Sequence, residues 1–200
     1  MKASEVDLRD LTKELIGRIE DEIGAISFLS LSTLDAKRWS AQMPFGEEVY
    51  SRFPSAIVEI EEASKCLAVE RSTAAVFHLM RTMEVALKVA AVELGIPYAP
   101  SWEPYLKQIH TRIDQKWRKK GVQWKRDEPF FREVLGHLQA VKVAWRNPTM
   151  HVVNQYTLEQ AEDIFNAVRG FMRHLATRLS ESSAKKPGRK KRAAGPRSEA

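Results

Sequence analysis

Residues 73–94 read TAAVFHLMRTMEVALKVAAVEL. Val76, Leu79, Met83, Leu87, Ala90 and Leu94 recur three or four positions apart, which lays one apolar stripe along a helix about 22 residues long. Ser72 is placed to cap its start, and Gly95 followed by Pro97 ends it. A stripe this continuous has to be buried against other helices. The segment just before it, residues 55–69, has the same character and supplies the first partner, so the two form a helical hairpin.

The rest of the chain extends that pattern. Leu8, Leu11, Leu15, Ile19, Ile23 and Ile26 predict a long first helix over residues 5–31. Residues 32–53, with Trp39, Pro44 and Gly46 and with Pro54 just beyond, read as a connector holding at most one short helix. Residues 102–119 form a more polar helix, and the stretch from Gly121 to Pro129 reads as a loop. Phe131, Val134, Leu138, Val141 and Trp145 share one face of a helix over 130–145. The last helix runs from about 158 to 179. Thr157 and Gln160 form its capping box, and Leu158, Ala161, Ile164, Phe165, Val168 and Leu175 face inward. No strand alternation and no internal repeat is present. The expected fold class is all-α, a helical bundle with a disordered basic C-terminal tail. It divides into an N-terminal helix and connector (1–53), the bundle (54–180) and the tail (181–200).

Charge places the basic character outside the bundle. The chain has 32 basic and 26 acidic residues, a formal net charge of +6. Residues 181–200 hold seven of those basic residues and two of the acidic ones, leaving 25 against 24 in residues 1–180. The single cysteine, Cys66, lies in an apolar helical stretch and reads as a buried structural thiol. No run approaches 18 apolar residues, and the first residues turn acidic without an apolar core. The expectation is a cytoplasmic protein with no membrane partner.

Chemistry is concentrated at Arg146-Asn147-Pro148-Thr149-Met150-His151, where a permanent cation and an imidazole stand near a proline between two helices. Arginine five residues before histidine is weak as spacing, because Arg132/His137 and Arg169/His174 repeat it. Those two pairs lie inside regular helices, where five residues at about 100° each leave the side chains roughly 140° apart. Pro148 predicts a helix end near Arg146, with Asn147 as N-cap of a new turn whose free N–H groups face the space between Arg146 and His151. Thr149 adds a hydroxyl. A helix junction in which Arg146 caps the preceding helix and His151 faces water is the alternative.

These residues resemble the HEPN family (higher eukaryote and prokaryote nucleotide-binding domains), which is all-α and in many members carries Arg, a polar residue, three variable positions and His between its last two main helices. Arg146, Asn147 and His151 fit that pattern, and the resemblance covers residues 55–180. It implies a metal-independent endoribonuclease without cofactor, in a toxin or phage-defence role, dimeric so that two motifs face one cleft. The residue roles carried over are His151 as general base or acid, Arg146 on the scissile phosphate, and Asn147 orienting one or the other. A 2′,3′-cyclic phosphate and a 5′-hydroxyl are the expected products. Some members have a tyrosine two residues after the histidine; here Val153 stands there and Tyr156 is the nearest tyrosine. Arg81 and Glu84 are candidate helpers of the kind some members carry on an earlier helix.

RNA is therefore the expected partner, with Thr149 and the tail cations Lys185, Lys186, Arg189, Lys190, Lys191 and Arg192 as contacts; a solubilising tail is the other reading. Trp117, Trp124 and Trp145 interleave with Arg118, Lys119, Lys120, Lys125 and Arg126, as in a stacking surface or as in packed tryptophans under long basic side chains. No metal-ligand spacing occurs, since His78, His110 and His137 are scattered. A second functional class stays open: a non-catalytic helical module binding nucleic acid or protein, accessory or antitoxin-like, with an antitoxin or other protein as partner.

Overall fold

A computed structural model of the protein describes residues 3–118, 121–151 and 154–184. The chain divides after Ser32. The first unit is a single long helix, α1 (Ala3–Gly24), followed by a short non-helical segment. The sequence expectation carried this helix to residue 31; it stops at Gly24.

The second unit is all-α, and among its described residues no strand occurs. It comprises α2 (Thr33–Trp39), α3 (Glu47–Arg52), a 3₁₀ turn (Pro54–Ala56), α4 (Ile57–Ala68), α5 (Ser72–Glu93), α6 (Trp102–Arg118), α7 (Val122–Val141), a π-helical segment (Lys142–Arg146), α8 (Asn147–Met150), α9 (Leu158–Ala176) and α10 (Glu181–Ala184). The hydrophobic stripe of α5 is buried along its whole length, and α5 packs on both α4 and α9. Met80 and Thr82 are also buried, so α5 is the central rod rather than a one-sided helix. It begins with Arg71 as N-cap and not Ser72, whose side chain is buried inside the first turn. It ends as expected: Gly95 adopts φ +68°, and the Ile96 N–H bonds back to the Ala91 carbonyl at 2.9 Å. The capping box of α9 is present, with Gln160 N–H donating to the Thr157 hydroxyl at 3.2 Å and Thr157 N–H to the Gln160 side chain at 3.0 Å.

Two expectations are corrected. Residues 33–53 are part of the bundle, not a connector. Phe45, Val49, Tyr50 and Phe53 lie in the core, α2 packs on α4, and α3 packs on α9. Pro44, Gly46 and Pro54 hid this by cutting the segment into pieces too short to show a period. At the other end, Glu181 accepts hydrogen bonds from the Ser55 N–H and hydroxyl, and α10 extends the described body to residue 184.

The second correction concerns the expected loop from Gly121 to Pro129, which is the first half of α7. A proline inside a helix removes one i→i−4 bond, but local interactions hold this turn. Gln123 donates to Asp127 at 3.2 Å, and Trp124 stacks on Phe131 with centroids 5.9 Å apart. Arg178 also reaches across to the Arg126 carbonyl at 3.3 Å. Trp124 and Trp145 are partly buried against the core, which supports the packed reading of these two tryptophans.

Candidate functional site

Pro148 does not end the helix. The five residues before Asn147 form a π turn in which the Asn147 N–H bonds to the Lys142 carbonyl, five residues back. Widening the helix there makes room for a proline ring that would otherwise press on the carbonyl of Ala144. Asn147 is helical (φ −65°, ψ −48°), its side chain caps nothing, and the helical path continues to Met150. The expected cluster of free N–H groups at an Asn147 N-cap is therefore not formed.

This changes the relation between Arg146 and His151. The backbone between them is helical, so the side chains depart roughly 140° apart, as in the two other pairs. The histidines separate the three pairs, since among the described residues Arg169, like Arg146, has no carboxylate partner. Arg132 donates to Glu128 at 2.9 Å and Asp114 at 3.3 Å, and His137 lies 3.8 Å from Glu133. His174 lies 3.5 Å from the other Glu133 oxygen, an ion-pair distance without hydrogen-bond alignment, and its ring packs on Phe130. Among the described residues neither Arg146 nor His151 has a carboxylate partner. Arg146 is half-buried, its Nη1 donates to the Asn147 side-chain oxygen at 3.3 Å, and its Nε is buried with no acceptor. His151 is exposed, and its N–H closes the turn on the Asn147 carbonyl at 3.1 Å.

Thr149 belongs to the support of this turn and not to its surface. It is buried, its hydroxyl donates to the Trp145 carbonyl at 2.7 Å, and it lies 2.8 Å from the Tyr156 hydroxyl. The Tyr156 N–H in turn donates to Thr73 at 3.2 Å, tying the segment to the first turn of α5. Both the Thr149 hydroxyl and its surroundings are used internally, so its assignment as an RNA contact does not fit its position. Tyr156 and Thr73 are the positioning residues that sequence reading missed. Only the seven-residue spacing of Thr149 and Tyr156 hinted at the first.

The remaining candidates fall elsewhere. Arg81 donates to Glu59 at 2.6 Å, and Glu84 accepts from the Trp102 indole at 3.3 Å. Both line a cleft of about 520 Å³ with Lys88 and Glu181, and no motif residue lines it. Lys185, Lys186, Arg189, Lys190, Lys191 and Arg192 lie outside the described residues, as do Lys119 and Lys120. Cys66 is half-buried, and burial pushes its thiol above the usual range. Among the described residues no three His, Cys, Asp or Glu side chains gather as metal ligands would, and no helix is long and apolar enough to cross a membrane. Compared with known proteins, the chain matches no family model, no curated protein and no solved structure.

Proposed function

We propose that the protein is an endoribonuclease of the HEPN type, acting without metal through Arg146, Asn147 and His151, in a toxin or phage-defence role. The observation that carries this reading is the state of the pair. A half-buried guanidinium with an orphaned Nε and an exposed imidazole are left without carboxylates, whereas among the described residues His78, His110, His137 and His174 each lie within 3.8 Å of one. An unsatisfied buried donor is costly in a structural role, and it is suited to a phosphate oxygen. The π turn under Arg146 is a type of irregularity that recurs at functional sites.

In this mechanism the imidazole removes the proton of the ribose 2′-hydroxyl, or delivers one to the departing 5′-oxygen. The 2′-oxygen attacks phosphorus, the P–O5′ bond breaks, and a 2′,3′-cyclic phosphate and a 5′-hydroxyl result. Arg146 holds the non-bridging oxygens as charge builds on them, and Asn147 fixes the guanidinium through its side-chain oxygen. Because the two side chains diverge on one helix, the working site is composite: Arg146 of one chain meets His151 of a second copy, in a homodimer.

That geometry has a direct test. Arg146→Ala lowers RNA cleavage by about 10²–10³-fold, and His151→Ala by about 10²–10⁴-fold, while circular dichroism and the urea midpoint stay as in the wild type. An equimolar mixture of the two variants recovers about a quarter of wild-type activity, since half the dimers are mixed and each mixed dimer has one intact site. No recovery on mixing rejects the composite site. Undiminished cleavage by both variants rejects the assignment of the residues.

A further inference from the structure

Helix α1 carries its apolar side chains in the open. Leu8, Leu11, Leu15, Ile19, Ile23 and Ile26 are each between 46% and 69% exposed. At about 100° per residue the five within the helix fall within an arc of roughly 120°, a single stripe, and Ile26 follows just past the helix end. The unit it belongs to holds no second helix against which this stripe could pack. Most helical stability in proteins comes from packing such a face. We infer that α1 pairs with α1 of a second copy of the chain, antiparallel, to form a two-helix interface. The inference does not depend on the proposed ribonuclease activity.

Three features select this occupant. The first is self-complementarity. With a two-fold axis level with residue 17, Leu8 lies opposite Ile26 of the second copy, Leu11 opposite its Ile23, and Leu15 opposite its Ile19. The leucine half of the helix thus meets the isoleucine half, and each contact occurs twice, as a closed two-fold interface requires. Lys13 comes within one residue of the level of Glu20 across the interface, and the helix dipoles oppose each other. A parallel pair would instead stack the run Glu20-Asp21-Glu22 on itself.

The second is area. The six side chains expose on the order of 600 Å² per chain, so pairing removes at most roughly 1,200 Å² in total, the lower edge of the range for stable interfaces. The third is charge. Residues 8–24 hold five carboxylates against three cations. Helices that lie on anionic lipid surfaces carry an excess of lysine and arginine on the polar face, so this helix does not fit that role.

Disulfide trapping in the full-length chain reads the contact itself, whatever other contacts the protein makes. In a Cys66→Ser background, a tagged Leu15→Cys chain is mixed with an untagged Ile19→Cys chain and oxidised with diamide. The antiparallel register gives a mixed disulfide in at least about fivefold excess over either homodimer, and Gly17→Cys, on the opposite side of α1, gives essentially none. Absence of cross-linking overturns the inference, as does equal cross-linking through Gly17→Cys. Homodimers of the Leu15→Cys chain in excess overturn the antiparallel register.

Discussion

Glu59 shows what a paired charge does in this protein, and so what it means that Arg146 lacks one. Its carboxylate lies 2.8 Å from His78 Nδ1 and 2.6 Å from Arg81 Nε. Burial pushes the carboxyl up, but the hydrogen bonds from His78 and Arg81 outweigh it and hold the group below the ordinary carboxylate value. A carboxyl depressed in the folded state stabilises it above the unfolded pKa, near 4.5, and loses that contribution as pH falls through the lower folded value. Glu59→Gln therefore destabilises the protein by about 1–2 kcal/mol at pH 7 in urea titrations, and the gap narrows steadily below about pH 4. A gap that stays constant down to pH 3 would show that the charge of Glu59 is irrelevant. Arg146 offers the opposite case. Arg146→Ala removes a hydrogen bond to Asn147 together with the cost of an Nε that has no acceptor, opposing effects that leave stability within about 0.5 kcal/mol of the wild type.

Among the helices, two glycines test the backbone account with opposite signs. Gly95 ends α5 at φ +68°, where an L side chain is strained even though no atom stands in its way. Gly136 sits in the middle of α7 with open space around it. Gly95→Ala lowers stability by about 1 kcal/mol, and Gly136→Ala raises it by about 0.5–1 kcal/mol, both read from urea midpoints. Equal signs would contradict the assigned conformations. The same contrast explains how much was legible in the sequence. The central helix was plain from its stripe and its Gly-Pro stop, and α9 from its capping box, because these signals lie within one helical turn. Both prolines misled. Pro129 and Pro148 each read as a break, yet stacking of Trp124 on Phe131 holds the helix through one, and a π turn carries it through the other. Neither device follows from propensity, since each depends on what the helix packs against.

For the whole molecule, fold class was readable and the boundaries were not. The pieces between 33 and 53 enter the core through Phe45, Val49, Tyr50 and Phe53, residues too close to prolines and Gly46 to show a period of their own. The candidate site was legible as residue types only. The Asn147-Pro148 break suggested that the chain would turn Arg146 toward His151. The helical path instead keeps them apart, and their lack of partners now carries the reading. Charge gives the body no general affinity for RNA, because residues 1–180 are close to neutral. The proposed cleavage therefore rests on a local site, and one assay decides it. Wild-type protein and His151→Ala are incubated with single-stranded RNA in excess EDTA, and the ends of the fragments are identified. The account predicts fragments ending in 2′,3′-cyclic phosphate with the wild type and, with His151→Ala, cleavage lower by about 10²-fold or more. RNA left intact by the wild type at micromolar concentration, or cut equally by both proteins, would contradict it.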